Sequence, residues 1–102
     1  MKIYKYKYNL TNGKTRVIEY DCRQVAGGYV IAGKGQFISE KRFKEFKPVK
    51  NKGYLMAWGF QNDKELEFKE NCKDKIKKLL YQIKTSYLEM IAQLENVIRK
   101  EI

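Results

Sequence analysis

The sequence predicts an α+β fold in which an N-terminal antiparallel sheet precedes one long C-terminal amphipathic helix. Residues 2–23 alternate apolar and polar side chains on both sides of an Asn-Gly pair, as the strands of a hairpin do. Further apolar segments near residues 28–38 and 54–60 are bounded by glycines and turn residues. Residues 63–102 carry apolar side chains at spacings of three and four, which is helical periodicity. At 102 residues the chain is expected to form a single domain, 1–102.

The register of the hairpin can be predicted by matching side chains across its two strands. A two-residue loop would oppose Tyr6 to Glu19 and mix the faces, so a three-residue loop of residues 12–14 is expected, with Gly13 in the left-handed conformation. The expected pairs are Tyr4 with Cys22, Tyr6 with Tyr20, Tyr8 with Ile18, Lys5 with Asp21 and Lys7 with Glu19. In this register the tyrosine face packs inward, while the lysine face is solvated and largely neutralised by the two carboxylates.

The middle of the chain holds short strands between turns. Gly33-Lys34-Gly35 is read either as a hairpin turn or as a phosphate cradle, although its spacing matches neither common phosphate-loop pattern. Residues 39–47 are open between helix and strand, since Ser39 could cap a short helix that points Phe43 at the core. The apolar strand at 54–60 is expected to be central or covered on both faces.

The helix predicted at 63–102 begins at a cap in residues 61–63, and Asn71-Cys72 is compatible with a bend or break near residue 71. Its apolar seam is wider than a coiled-coil stripe requires, and the seam recurs at Ile76, Leu80, Ile83, Tyr87, Met90, Leu94 and Val97. The sheet should cover part of this seam and leave the stretch from Tyr87 to Ile102 uncovered. A second copy of the chain is the expected partner, giving a homodimer through the C-terminal helix.

Composition favours a non-enzymatic cytoplasmic protein without metal or cofactor. The chain has no histidine, and its acidic run at residues 63–67 is typical of a helix N-terminus. Cys22 and Cys72 are expected to be reduced core residues. No segment has the apolar length of a membrane span, and the first ten residues lack the apolar core of a signal peptide.

The formal charge of +10 indicates affinity for anions without identifying one. Only four of the 22 basic residues are arginine, the side chain best suited to bidentate phosphate and base recognition. A group of helix lysines is read either as a solvated face or as a phosphate-tracking stripe: Lys73, Lys75, Lys77, Lys78 and Lys84. The polar face of the predicted sheet lacks the aromatics of an RNA-stacking platform.

A nucleotide site would need an aromatic surface beside positive donors. The candidate ligand-binding residues are Arg42, Trp58, Phe60, Asn71, Lys84 and Arg99. If two subunits paired through antiparallel helices, Arg99 of one could approach the helix start of the other. The alternative interpretation places the aromatics in the core and leaves the arginines solvated, with Arg99 favoured beside the helix C-terminal dipole.

Three segments carry a resemblance to a known family: KYKYNLTNGKTRVIEYD at the start, FISEKRF in the middle and the aromatic strand GYLMAWGF, followed by the lysine-rich helix. Together they resemble small phage proteins of the Thoeris anti-defence sponge family. The resemblance implies a dimer or dimer-based hexamer that sequesters a cyclic ADP-ribose-type signal without cleaving it, blocking host anti-phage defence. It also implies that Phe60 and Asn71 serve as the aromatic and the asparagine of the ligand site, with Arg42 supplying an arginine. The middle of the helix departs from the family, because it offers Lys84 and no arginine before Arg99.

The sequence also leaves a rival function open, a nucleic-acid- or protein-binding accessory factor such as an inhibitor of a host defence complex. In that role the lysine-rich helix would be the binding surface.

Overall fold

The computed structural model describes residues 1–101, and Ile102 lies outside the described residues. In chain order the elements are β1 (Lys2–Asn9), β2 (Thr15–Val25), β3 (Gly28–Ile31), β4 (Phe37–Ser39), α1 (Glu40–Glu45), β5 (Val49–Asn51), β6 (Tyr54–Gly59) and α2 (Glu65–Glu101). The chain divides into two compact units, Met1–Cys72 and Lys73–Ile102, and each is described by itself.

The strands form one antiparallel sheet in the order β4-β3-β2-β1-β6-β5. This sheet followed by a long helix confirms the predicted α+β fold. Strand β6 lies inside the sheet, between β1 and β5, as its continuous apolar sequence predicted. The segment near residues 28–38 is two short strands, and the turn that joins them contains Gly33-Lys34-Gly35.

The predicted hairpin register is wrong, because the loop holds four residues, Leu10 to Gly13. Tyr6 lies opposite Val17 and Tyr4 lies opposite Glu19. The Asn9 amide donates to the Lys14 carbonyl at 2.9 Å, and the Gly13 amide donates to the Asn9 carbonyl at 2.8 Å. Gly13 has a φ of 69°, a left-handed conformation that glycine adopts without strain.

Each face of β1 carries a fully buried side chain, so the assignment of one buried face and one solvated face does not give the register. On one face Tyr6 is fully buried, and its ring centroid lies 5.6 Å from that of Phe68 at the start of α2. On the other face Ile3 belongs to a second core with Met56 and Trp58. The tyrosine face therefore does pack inward, but the opposite face is not simply solvated.

Residues 40–45 form the short helix α1, which settles the segment that the sequence left open. Phe43 is buried as expected. Ser39 occupies the N-cap position in an extended conformation, but its side chain makes no capping hydrogen bond. Both cysteines are buried, in keeping with their predicted place in the core.

Helix α2 runs unbroken from Glu65 to Glu101, so the bend or break that the sequence left possible near residue 71 does not occur, and the helix starts two residues later than predicted. The Tyr6 hydroxyl fixes the segment before it by accepting a hydrogen bond from the Lys64 amide at 3.1 Å and donating one to the Gln61 carbonyl. This contact from a distant strand supports the chain entering the helix, where a local cap at residues 61–63 was expected.

Residues 73–101 present an exposed apolar stripe. It begins at Leu79, earlier than the predicted start at Tyr87. Its large side chains are between 39% and 60% exposed: Leu79, Leu80, Ile83, Tyr87, Met90, Ile91, Leu94, Val97 and Ile98.

Candidate functional site

The structure places the six predicted ligand residues in different surroundings. Arg42 and Trp58 line one small cavity of about 70 Å³. Trp58 is only 2% exposed, and its indole Nε1 has no hydrogen-bond partner among the described residues. The faces of the Trp58 ring are thus covered by protein, and Phe60 is the accessible aromatic of the predicted pair.

Phe60 is 44% exposed and lies in an open cleft of about 310 Å³. Its ring stacks on Phe43 with a centroid separation of 4.5 Å and an interplanar angle of 15°. Lys64 also lines this cleft, but its ammonium lies 3.8 Å from the carboxylate of Glu67. The cleft therefore offers a stacking surface with little uncompensated positive charge.

The remaining predicted residues lie on α2. Asn71 is half-buried, whereas Lys84 and Arg99 are exposed. Lys84 and Arg99 are separated by roughly 22 Å along a helix that rises about 1.5 Å per residue. One copy of the chain does not bring those two cations to the same ligand.

A larger basic concavity lies at the loop end of the hairpin, and we call it the hairpin pocket. Its volume is about 560 Å³, and its lining residues are Lys7, Asn9, Thr11, Asn12, Lys14, Thr15, Arg16, Gly53 and Tyr54. Three of these side chains are cationic and none is acidic. This combination suits a phosphate-bearing ligand.

The strand register brings the cations of the hairpin pocket together. Lys7 of β1 lies directly opposite Arg16 of β2, so both side chains are on the same face of the sheet. The Lys7 ammonium lies 4.2 Å from the centroid of the Tyr54 ring, a cation–π contact that holds it over β6. Two neighbouring strands thus present Lys7 and Arg16 side by side.

Lys5 extends this arrangement behind the hairpin pocket. Its ammonium is 5.4 Å from the Tyr54 ring centroid and 5.8 Å from that of Trp58. It also donates to the Tyr54 hydroxyl at 3.4 Å. The lysine face of the hairpin therefore does have aromatic rings beneath it, contrary to the prediction from sequence, because β6 contributes Tyr54 and Trp58 to that face.

The predicted neutralisation of Lys5 and Lys7 is also wrong. Lys2 forms ion pairs with the carboxylates of both Asp21 and Glu19, at distances of 2.9 Å and 3.3 Å from its ammonium. The hydrogen bond between Lys2 and Asp21 lowers the pKa of Asp21 and raises the pKa of Lys2. Within residues 1–101, the cations at and behind the hairpin pocket form no ion pair: Lys5, Lys7, Lys14 and Arg16.

Hydrogen bonds hold the rim of the hairpin pocket in place. The side-chain oxygen of Asn9 accepts from the Thr11 amide at 2.7 Å, and that of Asn12 accepts from the Lys14 amide at 2.9 Å. The Leu10 amide donates to the Gly53 carbonyl at 3.1 Å, which ties the hairpin loop to the turn before β6. The rim is thus pre-organised, which reduces the entropy lost when a ligand binds.

One carboxylate reaches the edge of this region. The Thr15 hydroxyl donates to Glu65 at the start of α2. Glu65 does not line the hairpin pocket, but its negative charge makes the side of the pocket near Thr15 the least favourable one for an anion.

Sequence reasoning missed the hairpin pocket because its assembly depends on the register and on β6. The available signal was the spacing of Lys7, Lys14 and Arg16 around the Asn-Gly turn. In the predicted register Lys7 was already paired with Glu19, which removed it from consideration.

No group of three or more histidine, cysteine, aspartate or glutamate residues is placed to hold a metal ion within residues 1–101. Over the same residues, neither helix has both the length and the apolarity needed to cross a membrane. No family model, curated protein or solved structure matches the chain.

Proposed function

We propose that this protein binds a phosphate-bearing nucleotide in the hairpin pocket and holds it without cleaving it. The observation that carries the proposal is the set of three cations, Lys7, Lys14 and Arg16, which form no ion pair among residues 1–101 and surround a concavity with no acidic residue in its described lining. Its volume of about 560 Å³ lies within the range of roughly 300–1,000 Å³ typical of small-molecule sites.

The lining side chains include groups that can bind the phosphate and groups that can bind the sugar or base. Arg16 can donate two parallel hydrogen bonds to a phosphate, and Lys7 adds a point charge beside it. The amide oxygens of Asn9 and Asn12 are engaged with the loop backbone, which leaves their NH₂ groups as donors for sugar or base acceptors.

The first ligand class to test is the cyclic ADP-ribose type, because the family that the sequence resembles sequesters these signals. In this proposal the protein is phage-derived, acts in the host cytoplasm and lowers the free concentration of an immune signal. It assembles as a homodimer or dimer-based hexamer through α2. The residues that the resemblance points to, chiefly Phe60, Asn71 and Arg42, are then a second candidate location for the ligand.

Calorimetry with cyclic ADP-ribose isomers tests the proposal, followed by heat denaturation and chromatography of the released ligand. We expect saturable binding and recovery of intact ligand. Release of a cleaved product would make the protein an enzyme, and absence of binding to every isomer would reject this ligand class.

The exposed cations also favour a second candidate, binding of single-stranded nucleic acid. The specific observation is that Lys5 and Lys7 lie over Tyr54 and Trp58 with no ion-pairing carboxylate among the described residues. Mobility shift at two salt concentrations separates the candidates. Tight binding that weakens steeply with salt would favour nucleic acid, since each phosphate contact adds about 0.9 to the slope for duplex DNA and about 0.7 for a single strand.

The same measurement bears on the remaining rival, an accessory factor that inhibits a host defence complex. In its protein-binding form, such a factor would bind neither nucleotide nor nucleic acid with useful affinity. A complex with a host protein that survives the loss of Lys7 and Arg16 would favour it.

A further inference from the structure

The apolar side chains in the exposed stripe of residues 73–101 have the regular spacing of a helix that packs against another helix. Two sets of side chains alternate along it at spacings of three and four: Leu80, Tyr87 and Leu94 in one set, and Ile83, Met90 and Val97 in the other. This alternation is the heptad pattern of helices that pack side by side. Every one of these six side chains is at least 48% exposed.

The charges on the same helix are distributed unequally between its halves. Residues 73–84 carry five lysines and one aspartate, whereas residues 85–101 carry three glutamates, Glu89, Glu95 and Glu101, against Arg99 and Lys100. A parallel pair of identical helices would set the five-lysine half against itself. An antiparallel pair would set it against the half that carries the glutamates.

We infer that a second copy of the chain covers this stripe in antiparallel orientation. The inference rests on the self-association within the proposed function and deepens it by fixing direction and register. It is independent of ligand binding, because the seam residues do not line the hairpin pocket.

Two antiparallel alignments bring the two sets of seam residues together. One of them opposes Lys84 to Lys84 of the second copy, which like-charge repulsion disfavours. The other places Lys84 beside Ile91 and near Glu95 of the second copy. The second alignment is therefore the favoured register, and its layers are Leu80 on Val97, Ile83 on Leu94 and Tyr87 on Met90.

The flanking positions add apolar area beyond these layers. Leu79, Ile91 and Ile98 are 39%, 49% and 59% exposed and lie beside the seam. Residues 73–101 span roughly 43 Å at about 1.5 Å per residue, so the contact runs over about four heptads. Such an apolar length exceeds what a monomer ordinarily leaves in water.

Cysteine cross-linking tests both orientation and register. Leu80→Cys and Val97→Cys proteins are prepared separately, mixed, allowed to exchange and mildly oxidised. We expect the Leu80–Val97 mixed cross-link to exceed either homotypic cross-link by roughly tenfold. Unsubstituted protein is the control, because Cys22 and Cys72 are buried.

A dominant Leu80–Leu80 or Val97–Val97 cross-link would establish a parallel pair and overturn the inference. A monomer in sedimentation equilibrium at micromolar concentration would also overturn it.

A charge exchange tests the register by a second route. Glu95→Lys should weaken self-association roughly fivefold, because the new lysine repels Lys84 of the other copy and the two-fold symmetry of the pair makes this contact occur twice. Adding Lys84→Glu to this variant should restore association to near its original strength. If the double variant associates no better than Glu95→Lys alone, the proposed register is wrong.

Nucleotide binding by each variant separates this inference from the proposed function. A variant that is monomeric yet still binds nucleotide in the hairpin pocket would show that assembly and capture are independent. A well-assembled wild-type protein that binds no nucleotide would leave the helix pairing supported while rejecting the proposed ligand.

Discussion

The Lys7 ammonium lies 4.2 Å from the centroid of the Tyr54 ring, although the two residues are not directly opposite in the sheet. Lys7 pairs with Met56, while Tyr54 pairs with Asn9, so the contact is a diagonal one between β1 and β6. Such diagonal neighbours are within reach for a long side chain and an aromatic ring. The contact holds a cation at the hairpin pocket without neutralising it.

The first prediction concerns the cation opposite Lys7. Arg16→Ala should weaken nucleotide binding by roughly tenfold to a hundredfold, because it removes a charged hydrogen-bonding group worth about 1.5–3 kcal/mol. Calorimetry measures the change. Lys41→Ala is the matched control, since Lys41 is an exposed cation on α1 that does not line the hairpin pocket.

The second prediction concerns Tyr6, whose hydroxyl links β1 to the segment before α2. Tyr6→Phe should lower the free energy of unfolding by about 1–3 kcal/mol, because the Lys64 amide and the Gln61 carbonyl lose their common partner. Urea denaturation measures it. Tyr4→Phe should change stability by less than about 0.5 kcal/mol, since the one hydrogen bond of the Tyr4 hydroxyl within residues 1–101 goes to the exposed Glu19.

The same tyrosine gives a prediction for alkaline pH. Burial raises the pKa of Tyr6 above its ordinary value of 10.0. The folded protein then keeps the proton at a pH where the unfolded chain has released it, so stability is full below pH 10.0 and falls as the pH rises through the folded value. Wild-type protein should lose more stability than Tyr6→Phe between about pH 9 and pH 11. Equal losses in urea titrations would contradict this assignment.

The third prediction concerns Gly28 in β3. A methyl group there would overlap the Ile38 carbonyl oxygen of β4 and would lie 2.9 Å from the Phe37 ring. Gly28→Ala should therefore destabilise the fold by about 1–3 kcal/mol. Gly53→Ala is the control, because a Cβ at Gly53 would meet nothing within 4 Å. Thermal unfolding of the two variants compares them, and equal melting temperatures would refute the prediction.

The fourth prediction concerns the apolar stripe of α2. Leu94→Glu should abolish self-association, because it buries a charge in the contact at a cost of several kcal/mol. Asn96→Glu adds the same charge two residues away on the opposite side of the helix and should associate normally. Sedimentation velocity distinguishes them, and an associated Leu94→Glu protein would show that the stripe is not the interface.

The fold could be predicted from sequence wherever one local pattern was enough. The apolar spacing from Leu80 to Val97 predicted the helix, and the Asn-Gly pair predicted the position of the hairpin turn. The register could not be predicted, because Ile3 and Tyr6 are both buried on opposite faces and because β1 also pairs with β6, which lies about fifty residues later in the chain. The start of α2 was missed by two residues for a related reason, since Tyr6 is its distant partner.

The candidate site depended even more on tertiary structure. The sequence did not distinguish Phe60, which is 44% exposed, from Trp58, which is 2% exposed and belongs to the core. Lys7 and Arg16 could be recognised as a pair only once the four-residue loop was known. Whether Arg42, Asn71, Lys84 and Arg99 bind ligand stays a prediction.

Capture of a phosphate-bearing nucleotide by the hairpin pocket is decided by comparing three proteins. Calorimetry with a cyclic ADP-ribose isomer is run on wild-type protein, on the Lys7→Ala/Arg16→Ala double variant and on Phe60→Ala. We expect one site per chain for wild type, at least a hundredfold weaker binding for the double variant, and near-normal binding for Phe60→Ala. Unchanged binding by a folded double variant, with loss in Phe60→Ala, would contradict capture by the hairpin pocket and move the ligand to the aromatic cleft.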